Sequence, residues 1–248
     1  MTISSREDLA GMCHVGQVVG LTIQEMKAAA RPGMTTAELD RVGADFLRRH
    51  GARSAPREAY DFPGFTCLSL NEEVVHGIPG PRRIQPGDVL KIDVTAELGG
   101  YVADAAVTVT LPPVAPKARK LRRCAEAAFE KALGAARAGN RVSEIGRAVD
   151  TEVRRHGFRV LRDLAGHGVG RQIHEPPSVP NYFDWRNLDE LEDGMVLAIE
   201  PMLSAEAARI VTEADGWTIR THNRCLAAHY EHTVVVTKGK PRVLTAVA

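Results

Sequence analysis

Two stretches, ARPGMTTAELDRVGADFLRRHGAR at Ala30–Arg53 and ARAGNRVSEIGRAVDTEVRRHGFR at Ala136–Arg159, align without a gap at an offset of 106 residues. Identities include Arg31 with Arg137, Gly33 with Gly139, Glu38 with Glu144, Arg41 with Arg147, and Arg48–Gly51 with Arg154–Gly157. Two amphipathic helices can resemble each other through composition, but an ungapped match over a helix end, a loop and a complete second helix points to a structural repeat. Each copy reads as helix, short turn, helix, then strands. In the first half, a helix from about Glu7 to Ala30 opens at the capping box Ser4-x-x-Glu7 and stops at Pro32-Gly33. The second helix opens at Thr35-x-x-Glu38, puts Leu39, Val42, Phe46 and Leu47 on one face, and ends at His50-Gly51. In the second half the corresponding helices are about Pro116–Ala136 and Ser143–His156.

The segments after each helix pair are β-rich. They are Thr66–Leu70, Val89–Thr95 and Tyr101–Leu111 in the first half, and Phe158–Asp163, Met195–Met202, Trp217–Thr221 and His232–Thr237 in the second. The expected fold is α+β: two halves related by a pseudo-twofold, their strands joined in one curved antiparallel sheet covered outside by four helices. The chain is read as a single catalytic domain of two half-repeats, about 5–112 and 113–245.

With 248 residues and 44% hydrophobic content, the chain can bury a large core. Its 32 basic and 31 acidic residues leave a net charge of +1, which gives no electrostatic case for a DNA or membrane partner. MTISSREDLA has no apolar signal region and no apolar run reaches about 18 residues, so a cytoplasmic protein is expected. Cys13, Cys67, Cys124 and Cys225 are too far apart for CxxC chemistry and fit reduced thiols.

Chemistry is concentrated in Asp93, Asp104, His167, Glu200 and Glu231, each set in a short apolar or glycine-bounded stretch: LKIDVT, YVADAAVTV, LAGHGVGR, VLAIEPM and HYEHTVVVT. A buried unpaired carboxylate costs several kcal/mol or more, so four together require a cationic partner. Only Lys91 is interleaved among them, and carboxylates with one imidazole suit a pair of divalent ions. Any one of these residues alone would be read as a salt-bridged structural acid. The hairpin at Leu98-Gly99-Gly100 brings the two aspartates together in either register: directly opposite if centred on Leu98-Gly99, diagonal on the same face if centred on Gly99-Gly100. His167 lies between glycines that permit close backbone approach.

In order along the chain, NEEVVHGIP at Asn71–Pro79, GDVLKIDVT at Gly87–Thr95, GHGVGRQIHEPP at Gly166–Pro177, AIEPM at Ala198–Met202 and YEHTVVVT at Tyr230–Thr237 resemble the type I methionine aminopeptidases. These are dinuclear metallohydrolases of the pita-bread fold, and the likeness runs from about Ser5 to Leu244. It implies that Asp93 chelates one metal ion, His167 and Glu200 hold the other, and Asp104 and Glu231 bridge both. It also implies two divalent ions sharing a water, with Glu200 moving the proton and His76 and His174 donating to the peptide amide and the developing oxyanion. The oxygen-rich set favours Fe(II), Mn(II) or Co(II) over zinc. Phe62, Cys67, Ile173 and Trp217 fall at the family's pocket positions and would accept a thioether.

The chain departs from the family pattern at Ala59, which lacks an aromatic ring, at Tyr60, at Ala105-Ala106 after the second aspartate, and at Glu175-Pro176 after His174. None of these is a metal ligand, so they bear on pocket shape. The expected activity is removal of the initiator methionine from nascent polypeptides with a small second residue. Two alternatives stay open: a proline-directed exopeptidase of the same fold, and a non-catalytic domain binding peptide or RNA. The family's N-terminal zinc-finger extension and late insertion are not present, which points to a minimal bacterial-type form, expected as a monomer. His50 and His156 read as helix C-terminal caps. The basic residues Lys117, Arg119, Lys120, Arg122 and Arg123 read as solvated surface, with a transient ribosome contact as the alternative.

Overall fold

A computed structural model describes residues 1–207 and 209–247. Its helices are α1 (Arg6–Ala29), α2 (Thr36–Arg49), α3 (Ala55–Tyr60), α4 (Pro116–Ala135) and α5 (Val142–Arg155). The strands of the first half are β1 (Arg53–Ser54), β2 (Cys67–Leu70), β3 (Glu73–Val75), β4 (Val89–Leu98) and β5 (Tyr101–Thr110). Those of the second half are β6 (Arg159–Val160), β7 (Ala165–Gly168), β8 (Glu175–Pro180), β9 (Val196–Ile199), β10 (Met202–Ser204), β11 (Ile210–Thr212), β12 (Ile219–Thr221), β13 (Ala227–His229), β14 (Glu231–Val235) and β15 (Arg242–Val243).

The repeat survives in the backbone. Thr35 caps α2 through a reciprocal box, its hydroxyl accepting the Glu38 N–H at 3.1 Å while its own N–H donates to Glu38 Oε2 at 2.8 Å. The matched glycines take matched left-handed conformations, φ +90° and +88° at Gly33 and Gly139 and +70° and +82° at Gly51 and Gly157. The first helix starts at Arg6, within a residue of the expected Glu7, but its cap lies one residue later than in the Ser4-x-x-Glu7 reading. Ser5 is the cap, accepting from the Asp8 N–H at 3.0 Å, and the Ser4 N–H and hydroxyl donate to the Asp8 carboxylate. The tandem Ser4-Ser5 and Glu7-Asp8 offered two phases for one motif.

The main sheet has nine strands, in the order β1-β4-β5-β14-β9-β7-β8, with β2 on β4 and β15 on β14, all antiparallel. Two three-stranded sheets, β13-β10-β6 and β11-β12-β3, accompany it, so the β-rich segments do not all join one sheet. The chain turns away from the main sheet at Glu200-Pro201, because proline supplies no N–H to continue a ladder.

Helices α1 and α2 pack with β4 and β5 around Met12, Val15, Val19, Leu39, Leu47, Leu90 and Ile92. Helices α4 and α5 cover a second core of Leu121, Phe129, Ile145, Val149, Leu197 and Val234. Each helix pair thus buries one apolar face against the sheet, the first core also taking in Val196, Val235 and Leu244 of the second half, and the β5–β14 pairing joins the halves at the centre of the sheet.

Candidate active site

Sheet order decides the site. Asp93 on β4, Asp104 on β5, Glu231 on β14, Glu200 just past β9 and His167 on β7 come from five consecutive strands, β4-β5-β14-β9-β7. Ala106 pairs with both Asp93 and Glu231, so these three lie in one cross-strand row. The small methyl at the middle of that row leaves the space beside it to the two carboxylates.

The hairpin takes the register centred on Gly99-Gly100, with Leu98 opposite Tyr101 and Thr95 opposite Asp104. Both glycines have positive φ, +63° and +81°, the signature of the type I′ turn. The aspartates are therefore diagonal neighbours on one face. The Thr95 hydroxyl donates to Asp104 Oδ1 at 2.9 Å, and Thr233 Oγ1 bonds both the N–H and the carbonyl of Asp104, at 2.9 and 2.8 Å.

His167 sits in strand β7, between the two glycines read as permitting close backbone approach. A Cβ on Gly166 would stand 2.4 Å from the Ala198 carbonyl oxygen, and one on Gly168 would stand 2.2 Å from that of Pro176. The glycines are there for close strand approach. The His167 Nδ1 N–H is paired with the Gly168 carbonyl at 2.9 Å, which leaves Nε2 as a lone pair 3.5 Å from Glu200 Oε1.

All eleven side chains singled out from the sequence line one cleft of about 440 Å³. Asp93, Asp104, His167, Glu200 and Glu231 form its floor, and His76 and His174 stand beside them. The His174 ring packs edge-on against His167 with centroids 4.3 Å apart, and its Nδ1 is 2.8 Å from the Tyr60 hydroxyl. Phe62 meets Trp217 in a T-shaped pair at 5.2 Å and, with Cys67 and Ile173, makes the apolar wall. An Asx turn fixes the Trp217 backbone: Asp215 Oδ1 accepts from the N–H groups of Trp217 and Thr218, each at 2.8 Å. Trp217 therefore precedes the strand expected to begin there, which starts at Ile219.

His76 has φ +58°, a conformation a non-glycine residue adopts at a cost of about 1 kcal/mol or more. The chain is held there by its neighbours, with the Leu68 N–H donating to the Gly77 carbonyl at 2.9 Å and the Gly77 N–H to Ser69 Oγ at 3.0 Å.

The electrostatics ask for a cation. Burial, then the Asp104 charge, pushes Asp93 well above the usual carboxylate range. Burial, then Glu231 and Glu200, does the same to Asp104, and burial with Glu200 raises Glu231. Glu231 is 2% exposed and its Oε1 has no hydrogen-bond partner among the described residues. No Lys or Arg is among the described residues lining the cleft. Lys91, two residues from Asp93 in the sequence, directs its ammonium elsewhere, to the carbonyls of Asn71 at 2.9 Å and Val89 at 3.3 Å. Ligand atoms of Asp104, His167 and Glu231 lie within 4.8 Å of one another. An orphaned carboxylate oxygen in an anionic, imidazole-containing cluster fits divalent cations.

Tyr60, Met202, Leu164 and His229 also line the cleft and were not singled out as site residues from the sequence. His229 had a readable signal: it lies two residues before Glu231 in HYEHT, the spacing that puts alternate side chains on one side of a strand.

The chain is similar to known proteins in both sequence and fold. A model of metallopeptidase family M24 matches residues 10–238. The chain is 44% identical over 247 residues to methionine aminopeptidase 2 of Bacillus subtilis, with 99% of each chain covered. It superposes on the crystal structure of methionine aminopeptidase from Thermotoga maritima with a TM-score of 0.96 at 33% identity, covering 100% of both chains. Prolidase from Pyrococcus furiosus shares the fold, with a TM-score of 0.80 at 21% identity over 100% of this chain and 66% of that one.

Proposed function

The chain belongs to metallopeptidase family M24, and from that membership and the cleft we infer that it is a methionine aminopeptidase, removing the initiator methionine from polypeptide chains. The observation that carries the assignment of roles is the convergence of four carboxylates and two kinds of imidazole position, floor and flank, beneath one apolar wall. We read the whole chain as one catalytic domain of two half-repeats.

Asp93, Asp104, His167, Glu200 and Glu231 would hold the divalent ions, two in number and drawn from Fe(II), Mn(II) or Co(II). When bound, such ions supply Lewis acidity and acidify water near neutral pH. The protein's own contribution is positioning and proton movement. Glu200 lies at the break between β9 and β10, where the Asn181 amide donates to its backbone carbonyl at 2.9 Å. From this fixed backbone its carboxylate takes the proton of the attacking water and returns it to the leaving amine.

Burial, together with the neighbouring His167, holds His174 down at about 4, so its ring is neutral at pH 7. With the Tyr60 hydroxyl on Nδ1, the other ring nitrogen is free to carry the proton and donate to the developing oxyanion. Burial lowers His76 as well, and a neutral ring there donates to the peptide amide. Phe62, Cys67, Ile173 and Trp217 would enclose the methionine side chain, the aromatic pair packing against its sulfur. The substrates are the N-termini of new polypeptides whose second residue is small. Exposed Arg119 and Arg123 on α4 offer a transient ribosome contact.

The test is methionine release from Met-Ala-Ser and Met-Leu-Ser by metal-free protein refilled with Mn(II), Fe(II) or Co(II). Cleavage of Met-Ala-Ser far ahead of Met-Leu-Ser is expected. Cleavage of Xaa-Pro peptides with no methionine release would move the chain to the proline-directed branch of the fold.

A further inference from the structure

His229 ends strand β13 opposite Met202, and its backbone is clamped to β5: its N–H donates to Thr108 Oγ1 at 3.0 Å, and the Thr108 hydroxyl donates to its carbonyl at 2.8 Å. The residue is 1% exposed and lines the cleft floor. Neither ring nitrogen has a hydrogen-bond partner among the described residues. Nε2 stands 3.3 Å from Glu231 Oε2 and 3.4 Å from Glu200 Oε2. A buried imidazole with no aligned hydrogen bond is costly, and one whose Nε2 stands beside two buried carboxylates belongs to their site.

We propose that His229 is a further nitrogen donor of the metal centre, serving an ion held between Glu200 and Glu231. The inference rests on the metal-site reading above and adds to the five ligands a sixth side chain that the family motifs do not supply. Ligand atoms of Glu200, His229 and Glu231 lie within 4.8 Å of one another. Donors each about 2.1 Å from one ion, at angles between octahedral and tetrahedral, stand roughly 3.0–3.4 Å apart, which is the spacing of His229 Nε2 from both oxygens. Because both ring nitrogens are free, the ring can present either of them without breaking a hydrogen bond. A second imidazole makes the donor set richer in nitrogen. That shifts preference toward Fe(II), Co(II) and Zn(II) and away from Mn(II), an ion suited by carboxylates and water.

The test compares the full-length protein with His229→Ala and His229→Gln, each stripped of metal and checked for unchanged circular dichroism and melting. Binding of Co(II) and Mn(II) is measured by calorimetry, and the visible d–d spectrum of the Co(II) form is recorded. The expected result is Co(II) affinity lower by about 10-fold or more in both variants, a smaller loss for Mn(II), and a changed Co(II) spectrum. Wild-type affinity and spectrum in His229→Gln would make His229 a hydrogen-bonding neighbour and overturn the proposal alone. Tighter Co(II) binding in His229→Ala would overturn it too, making the imidazole a rival cation. Failure of the unsubstituted protein to bind Co(II) at all would remove the metal-site reading along with it.

Discussion

Lys91 and Asp93 stand two residues apart on β4, on the same face of the strand, and the fold treats their charges in opposite ways. Lys91 is 1% exposed, and its ammonium is met by the protein itself, through the carbonyls of Asn71 and Val89. Asp93 faces Asp104 and the other acids, and no Lys or Arg among the described residues lining the cleft answers them. A buried charge with its own partners is a structural element. A cluster of buried like charges without one is a site whose missing partner comes from solution.

The sharpest way to break the comparison is to remove a carboxylate. Glu200→Gln should lower kcat by about 10²- to 10⁴-fold in methionine release at saturating Mn(II), the range for loss of a general base. Near-normal turnover would remove Glu200 from the proton path. His174→Ala comes next, with kcat down about 10²- to 10³-fold and KM little changed, as for loss of an oxyanion donor. A rise in KM alone would make it a binding residue.

Stability offers a third way. Burial raises Asp93, Asp104 and Glu231, so in the metal-free protein their protonated forms favour the fold and their ionised forms oppose it. That contribution is present below the ordinary carboxylate range near pH 4 and is lost as pH rises through the elevated values. The gap in Tm between Mn(II)-loaded and chelated protein should therefore widen between pH 5 and pH 8, to about 5 °C or more. A gap independent of pH would mean that the acids are neutralised by something other than the ion.

The smallest effect belongs to Lys91. Burial lowers it to about 7 from an ordinary 10.5, so the folded state prefers the neutral amine while the unfolded chain still binds the proton. Wild-type stability is accordingly depressed below pH 7 and recovers as pH climbs from about 7 toward 10. Lys91→Met should abolish that slope, gain about 1–3 kcal/mol at pH 6 in urea melts, and leave methionine release within about twofold. The Asn71 carbonyl keeps the Ala227 N–H at 3.0 Å as its donor. A collapse of activity in this variant would tie the two buried charges together.

This contrast was half legible in the sequence. Acids set in apolar strands announced the cluster, and the repeat at Ala30 and Ala136 announced two halves. The sequence left two hairpin registers open, because Leu98-Gly99-Gly100 offers two centres, and both glycines at positive φ select one. The glycines around His167 read as allowing close backbone approach, and they do so within a strand packed tightly on its neighbours. Short strands such as β3, β11 and β13 carry too few residues for periodicity to register, so the only sequence sign of His229 is its position two residues before Glu231. The strained backbone at His76 is set by the surrounding chain, and its own sequence gives no sign of it.

The most direct test is anomalous diffraction from crystals grown with Mn(II). Strong peaks within bonding distance of Asp93, Asp104, His167, Glu200 and Glu231 are predicted. A cleft without anomalous density at full Mn(II), or manganese bound only away from these side chains, would contradict the account.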